Sequence, residues 1–191
     1  NPVDYTYFSG FSRQKQVKKQ IVFVGRFEER KGVKQLIEAY ARMENHQDYD
    51  LIMCGKGPLH EEVQQLAKER NVSVQFPGFI SDEEKAQYLA NADIAVFPSV
   101  SGESFGIVVT EAMSAGASVT IGGNNPGYMS VLEPWPETLF DPSDPDAFAK
   151  KLAAFMEDEK LRDRIGKAQH AAVKQYDIKN VCDELEKSYS A

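Results

Sequence analysis

Only two cysteines, Cys54 and Cys182, occur in this 191-residue chain, and they are far apart. That count does not suggest a disulfide framework or a cysteine metal knuckle, and a reducing cytoplasm is the simplest expected setting. Histidine is nearly as scarce, with three. His46, His60 and His170 have no spaced partner for metal binding, so each reads as a surface residue. No apolar run reaches the roughly 18 residues of a membrane span, and no signal-peptide pattern is visible, although peripheral attachment through surfaces elsewhere stays open. The chain also has no internal repeat and no low-complexity segment. Basic residues are outnumbered, 22 against 29 acidic, for a formal charge of −7. This balance argues against a general nucleic-acid binder while leaving room for local basic patches. What is present is apolar material, 42 % of the residues, enough for one packed domain with a polar surface.

That apolar material alternates in period. Gln20–Val24, Asp50–Cys54, Val72–Phe76, Ile94–Phe97 and Ser118–Ile121 read as buried strands, with Leu139–Phe140 as a short sixth. Helical patterns lie between and after them: 33–42 with Leu36, Ile37 and Tyr40 on one side, a turn at 55–58 into a helix carrying Leu59, Val63 and Leu66, and a Ser81-capped helix through Leu89. Further helices are expected over 146–157, 161–175 and 178–189. Strict strand–helix alternation demands parallel strands with helical crossovers, hence an α/β, three-layer Rossmann-like domain. We divide the chain into a lead or linker segment 1–19, the domain 20–175 and a C-terminal helix 176–191. Ligands of such sheets sit beyond the carboxyl ends of the strands, which brings Gly25, Gly55, Gly78 and Ser99 to one rim.

The segment Ser101-Gly-Glu-Ser-Phe-Gly-Ile-Val-Val-Thr-Glu111-Ala-Met-Ser-Ala-Gly116 follows the fourth strand on that rim. Ser104 is expected as N-cap of a helix from about Phe105 to Ala115, stopped by Gly116. The unpaired N–H groups of Phe105, Gly106 and Ile107 would then form an anion cradle. Glu103 and Glu111 flank it and cannot bind phosphate directly, because like charges repel. Taken alone they are a loop acid and a helix-face acid. Together with the cradle they suit hydroxyls attached to a phosphate, Glu103 for a sugar and Glu111 for a ribose, which is a nucleotide sugar held from both ends. Arg26 and Lys31, just past the first strand, are either plain surface charges or the groups that neutralise its pyrophosphate.

Other signals are weaker. Gly55-Lys-Gly57 lacks the third glycine of a dinucleotide fingerprint, since His60 stands there, and is read as a tight turn. Asp144-Pro-Asp146 is read as a helix cap with Pro145 in the first turn rather than as a metal-binding pair. Trp135 either packs under a loop or marks a contact with another domain. The 123–128 loop either borders a ligand or is structural.

The Glu103 to Glu111 pattern, with seven residues between, Phe105-Gly-Ile107 inside and Glu-Ala-Met-Ser-Ala-Gly at its end, resembles the signature of the family-four retaining GT-B glycosyltransferases. The likeness extends through 22–32, Cys54-Gly-Lys-Gly-Pro58 and Val74-Gln-Phe-Pro-Gly78, over roughly residues 20 to 180. Asn1-Pro-Val-Asp4 is similar to the segment that follows the first domain in these enzymes, with Pro2 in place of the usual glycine. The resemblance implies the C-terminal, donor-binding domain of a hexosyltransferase, with Arg26 and Lys31 on the distal phosphate, Glu103 on the sugar, and no obligatory metal or cofactor. Backbone near Phe79 and Ile80 would meet the base. It also implies a partner domain at the N-terminal side that supplies the acceptor, and a cytoplasmic location that includes the inner face of a membrane. The run from Glu103 to Gly116 with Tyr176-Asp177 looks most like the phosphatidylinositol mannosyltransferase branch, which implies guanosine diphosphate mannose. Uridine diphosphate donors, a noncatalytic nucleotide-sugar-binding module and a nucleotide-sugar epimerase of similar build are the alternatives.

Overall fold

The computed structural model describes residues 2–181. Six parallel strands form one sheet: β1 (Lys19–Val24), β2 (Tyr49–Cys54), β3 (Val74–Gly78), β4 (Ile94–Phe97), β5 (Thr120–Gly123) and β6 (Leu139–Phe140), in the order β3-β2-β1-β4-β5-β6. Along each strand successive side chains face opposite layers. Ile21, Phe23, Ile94 and Val96 enter one core with Leu36, Ile37 and Tyr40 of a helix over Val33–Ala41 and Phe148, Leu152 and Phe155 of another over Pro145–Glu157. Val22, Ala95 and Phe97 enter the second core with Leu89, Val109, Met113, Tyr128 and Leu132. Those five residues come from helices over Asp82–Asn91, Ile107–Ala115 and Pro126–Leu132. With Tyr5–Phe8, His60–Glu69 and Glu159–Ala172 the helices are, in chain order, α1 (5–8), α2 (33–41), α3 (60–69), α4 (82–91), α5 (107–115), α6 (126–132), α7 (145–157) and α8 (159–172). The expected three-layer arrangement is the one observed.

Several boundaries move, each for a physical reason. β3 begins at Val74 rather than Val72 and runs through Pro77 to Gly78. As the edge strand it tolerates a residue without an N–H, and its pairing with β2 shifts register between Ile52 and Cys54. β5 runs two residues later than expected, because Gly122 and Gly123 still pair with Leu139 and Phe140. The 123–128 stretch is not simply a loop: Asn125 accepts a hydrogen bond from the Tyr128 N–H and Pro126 occupies the first turn of α6. α8 starts at Glu159 on the Asp158 cap, and Val173–Tyr176 is a 3₁₀ turn. The expected Ser81–Glu84 capping box and the Asp144 cap are both present. Residues 178–181 open as helix, whereas positions 182–189 of the expected last helix lie outside the described residues.

The segment 1–19, read as a lead or linker, contributes to the second core through Val3 and Phe8. Val3 bridges to Asp177 in parallel, its N–H bonding Tyr176 O and its carbonyl accepting from Ile178 N. The histidines are not free surface residues. His170 bonds Tyr5 Oη and Met113 O, His60 stacks on Phe27, and His46 lies against Tyr40. Trp135 packs against both cores.

Candidate functional site

The strand order reverses between β1 and β4: the chain leaves β1 towards β2 and β3, then returns to the other side of β1. The connections leaving those two neighbours diverge to opposite faces and open a crevice at their carboxyl ends. Gly25–Lys31 and Pro98–Gly106 line it, and they are tied directly, with Val100 N donating to Arg30 O at 2.9 Å. A second set of main-chain bonds, Gly25 N to Cys54 O and Gly55 N to Gly78 O, aligns the three glycine loops along the rim. Gly55 stands there at φ +135°, while the turn expected over Gly55-Lys-Gly57 falls one step later, at Pro58 and Leu59 before α3.

Within the crevice the side chain of Glu103 is 11 % exposed and that of Lys31 16 %. The carboxylate is bound asymmetrically. Its Oε1 accepts from Lys31 Nζ at 2.6 Å, Ser99 Oγ at 3.1 Å and Arg30 Nη1 at 3.2 Å. Oε2 has no hydrogen-bond donor among the described residues. One oxygen is saturated and the other is left to receive a hydroxyl. Arg26, expected to act with Lys31, instead pairs with Glu28 at 2.9 Å and its side chain is 72 % exposed. Arg30 was missed in the sequence because it stands inside the charged run Glu28-Glu29-Arg30-Lys31, where nothing distinguishes it from a solvated residue.

The helix after this loop starts later than expected. α5 begins at Ile107, and Ser104 is exposed and caps nothing. The capping position belongs to Gly106, at φ +85° in the left-handed region. A Cβ there would lie 2.5 Å from Cδ1 of Tyr128, so both the backbone angle and the close ring require glycine. The cradle shifts with the helix. The N–H groups of Ile107 and Val108 have no acceptor among the described residues, while Val109 N already bonds Gly106 O. Phe105 lies edge-on to Tyr176, 5.3 Å between ring centres, and Ile107 is partly exposed.

Glu111, on the second turn of α5, is bound to Lys85 of α4 at 2.9 Å. Burial pushes its carboxyl above the ordinary range, with the Lys85 ammonium opposing that shift. A carboxylate in this setting gains from any further hydroxyl donor. Phe79 is strongly exposed next to the buried Gly78, and Ile80 packs against the second core. Among the described residues no group of three or more His, Cys, Asp or Glu is arranged to hold a metal ion, and no helix is long and apolar enough to cross a membrane. A cavity of about 350 Å³ lined by Gly116, Ser118, Gly166 and His170 opens near the start of β5, at the opposite end of the sheet from these groups.

The family model described as glycosyl transferases group 1 matches residues 8–171. A phosphatidyl-myo-inositol mannosyltransferase of Mycobacterium tuberculosis (strain H37Rv) is 31% identical over 99% of this chain and 52% of its own length. One from Mycobacterium leprae is 33% identical over 90% of the chain and 46% of its own length. The chain therefore spans about half the length of the curated relatives it matches. Among solved structures, the catalytic domain of a cholesterol-alpha-glucosyltransferase from Helicobacter pylori superposes with a TM-score of 0.76 and 26% identity, covering 84% of this chain and 99% of that one. Anabaena HepE, solved with UDP and glucose, shares the fold, with a TM-score of 0.85 at 20% identity over all of this chain and 55% of that one.

Proposed function

The chain belongs to the glycosyl transferases of group 1, and from that premise we propose that it is the donor-binding half of a retaining hexosyltransferase. The observation that carries this reading is the half-saturated carboxylate of Glu103, set beside Lys31 and the open N-terminus of α5. A nucleotide sugar presents what that arrangement lacks. Its phosphates suit Lys31, Arg30 and the Ile107 and Val108 N–H groups, and its sugar hydroxyls suit the free Glu103 Oε2. Its ribose suits Glu111, and its base lies along Gly78, Phe79 and Ile80. Among the described residues exposed Arg26 pairs only with Glu28, a partner it can exchange for the distal phosphate.

Transfer then proceeds with the acceptor hydroxyl approaching the anomeric carbon on the face from which the diphosphate departs. The leaving oxygen accepts the acceptor's proton, and the cationic groups stabilise the charge that develops on the diphosphate. Glu103 orients the sugar through hydrogen bonds and forms no covalent bond to it. The acceptor comes with a further domain, so this chain alone binds donor and transfers little. The relatives are named as phosphatidyl-myo-inositol mannosyltransferases, which favours a mannosyl donor, and guanosine diphosphate mannose is the one we propose.

Calorimetric titration with GDP, UDP, GDP-mannose and UDP-glucose, each with and without magnesium, tests the reading. The expected result is metal-independent binding of one base series, altered by the attached sugar. Absence of binding in all four titrations, or vigorous transfer by this chain alone, overturns it.

A further inference from the structure

The Glu103 carboxylate is set in place by α6, the helix within the glycine-flanked stretch after β5. Tyr128, on α6, is 1% exposed, and its hydroxyl lies 2.9 Å from Ser99 Oγ. Ser99 Oγ in turn lies 3.1 Å from Glu103 Oε1. The direction of both bonds follows from chemistry. A carboxylate only accepts, so Ser99 spends its single proton on Glu103, and the Tyr128 hydroxyl must donate to Ser99. Burial pushes the phenol well above its ordinary range, which keeps that proton in place at any working pH. Asn125, the cap of α6, adds a third tie, donating from Nδ2 to Ser99 O at 2.9 Å while its Oδ1 accepts from Tyr128 N.

The same tyrosine also sets the anion cradle. Its ring occupies the space where a Cβ on Gly106 would stand, and it packs edge-on against Phe97 at the end of β4. Gly127 meets the main chain of Glu103 so closely that a Cβ would lie 2.3 Å from Glu103 O. One element therefore touches the carboxylate through Ser99, the loop backbone through Gly127 and the helix start through the tyrosine ring. A nucleotide sugar must reach the carboxylate and the cradle together, so their separation decides whether sugar and phosphate are held at once.

We propose that Tyr128 and Ser99 are positioning residues for the donor's sugar, a relay that fixes Glu103 against the α5 anion cradle and thereby makes the site prefer a nucleotide sugar over the bare nucleoside diphosphate. The proposal rests on the donor reading above. Tyr128→Phe keeps the ring against Gly106 and removes only the relay's first donor, whereas Ser99→Ala removes its link to the carboxylate.

Titration of the wild-type chain and both variants with GDP, GDP-mannose, UDP and UDP-glucose provides the test. In the base series that the wild type binds, Ser99→Ala should lower the ratio of sugar-nucleotide to bare-nucleotide affinity by roughly five- to tenfold, the net scale of one ordinary hydrogen bond. Tyr128→Phe should lower it by about threefold, and the double variant should match Ser99→Ala alone, because both act through one chain of bonds. Bare-nucleotide affinity stays within about twofold throughout. A merely structural role would lower both affinities together and leave the ratio unmoved, and that result overturns the relay while sparing the donor reading. Failure of the wild type to bind any of the four overturns both. Should Tyr128→Phe not fold, Ser99→Ala decides alone.

Discussion

Replacing Glu103 with glutamine should make the site bind a bare nucleoside diphosphate more tightly, although the residue is assigned to donor recognition. The carboxylate holds Lys31 at 2.6 Å and Arg30 at 3.2 Å, so the cations proposed above to receive phosphate are already paired. A diphosphate oxygen reaching Lys31 comes within about 5 Å of that carboxylate, and two unit charges at that separation repel by about 3 kcal/mol at an effective dielectric of about 20. Screening in an open crevice removes part of this, which leaves about 1–2 kcal/mol, or roughly five- to thirtyfold in affinity. Glutamine keeps the shape and still accepts from Ser99 but removes the charge. A nucleotide sugar should gain little, since the loss of a charged acceptor for its hydroxyls costs about 1.5–3 kcal/mol. Calorimetry of both proteins with GDP, GDP-mannose, UDP and UDP-glucose at low and high ionic strength measures the effect. The bare-nucleotide gain should appear at low salt and shrink at high salt. A Glu103→Gln variant that binds the bare diphosphate no better than wild type at low salt would refute the view that Glu103 competes for these cations.

Two further outcomes are expected. Gly106→Ala should destabilise the fold by about 2–5 kcal/mol, combining left-handed backbone strain with overpacking against the Tyr128 ring, and a urea midpoint unchanged from wild type would contradict that. Because the Glu111 carboxyl is raised above its unfolded value of about 4.5, the fold binds that proton more tightly than the unfolded chain does. Its contribution is therefore lost as pH climbs from the unfolded value through the raised folded one. Ribose hydroxyls favour the ionised form, so affinity for a nucleotide sugar, whose diphosphate does not titrate there, should rise over the same window. Glu111→Gln should flatten that rise, and an undiminished rise in the variant would remove Glu111 from the site.

The α/β architecture was legible because strand and helix periods alternate without interruption, and the β4 to α5 segment was legible because two glutamates flank a glycine at a strand end. The start of α5 was misjudged by two residues. Ser104 has the side chain of a cap, but the close Tyr128 ring makes Gly106 the residue that can occupy the position, and that contact is invisible along the chain. α6 was hidden for a different reason. Asn125-Pro126 carries the same cap-then-proline signal as Asp144-Pro145, which was read correctly, but the flanking glycines made the stretch look like a turn. The partners of the two glutamates are long-range. Lys31 lies 72 positions from Glu103, and Lys85 lies 26 from Glu111, so only the folded crevice reveals them.

The two margins of the sheet are poor templates for another strand. β6 offers only two residues, and β3 carries Pro77, which has no amide proton to give, beside a shift in its register with β2. Neither edge presents the long, regular row of free donors and acceptors that lets chains add edge to edge. Self-association by sheet extension is thus disfavoured at both margins, by a missing amide proton at one and by brevity at the other.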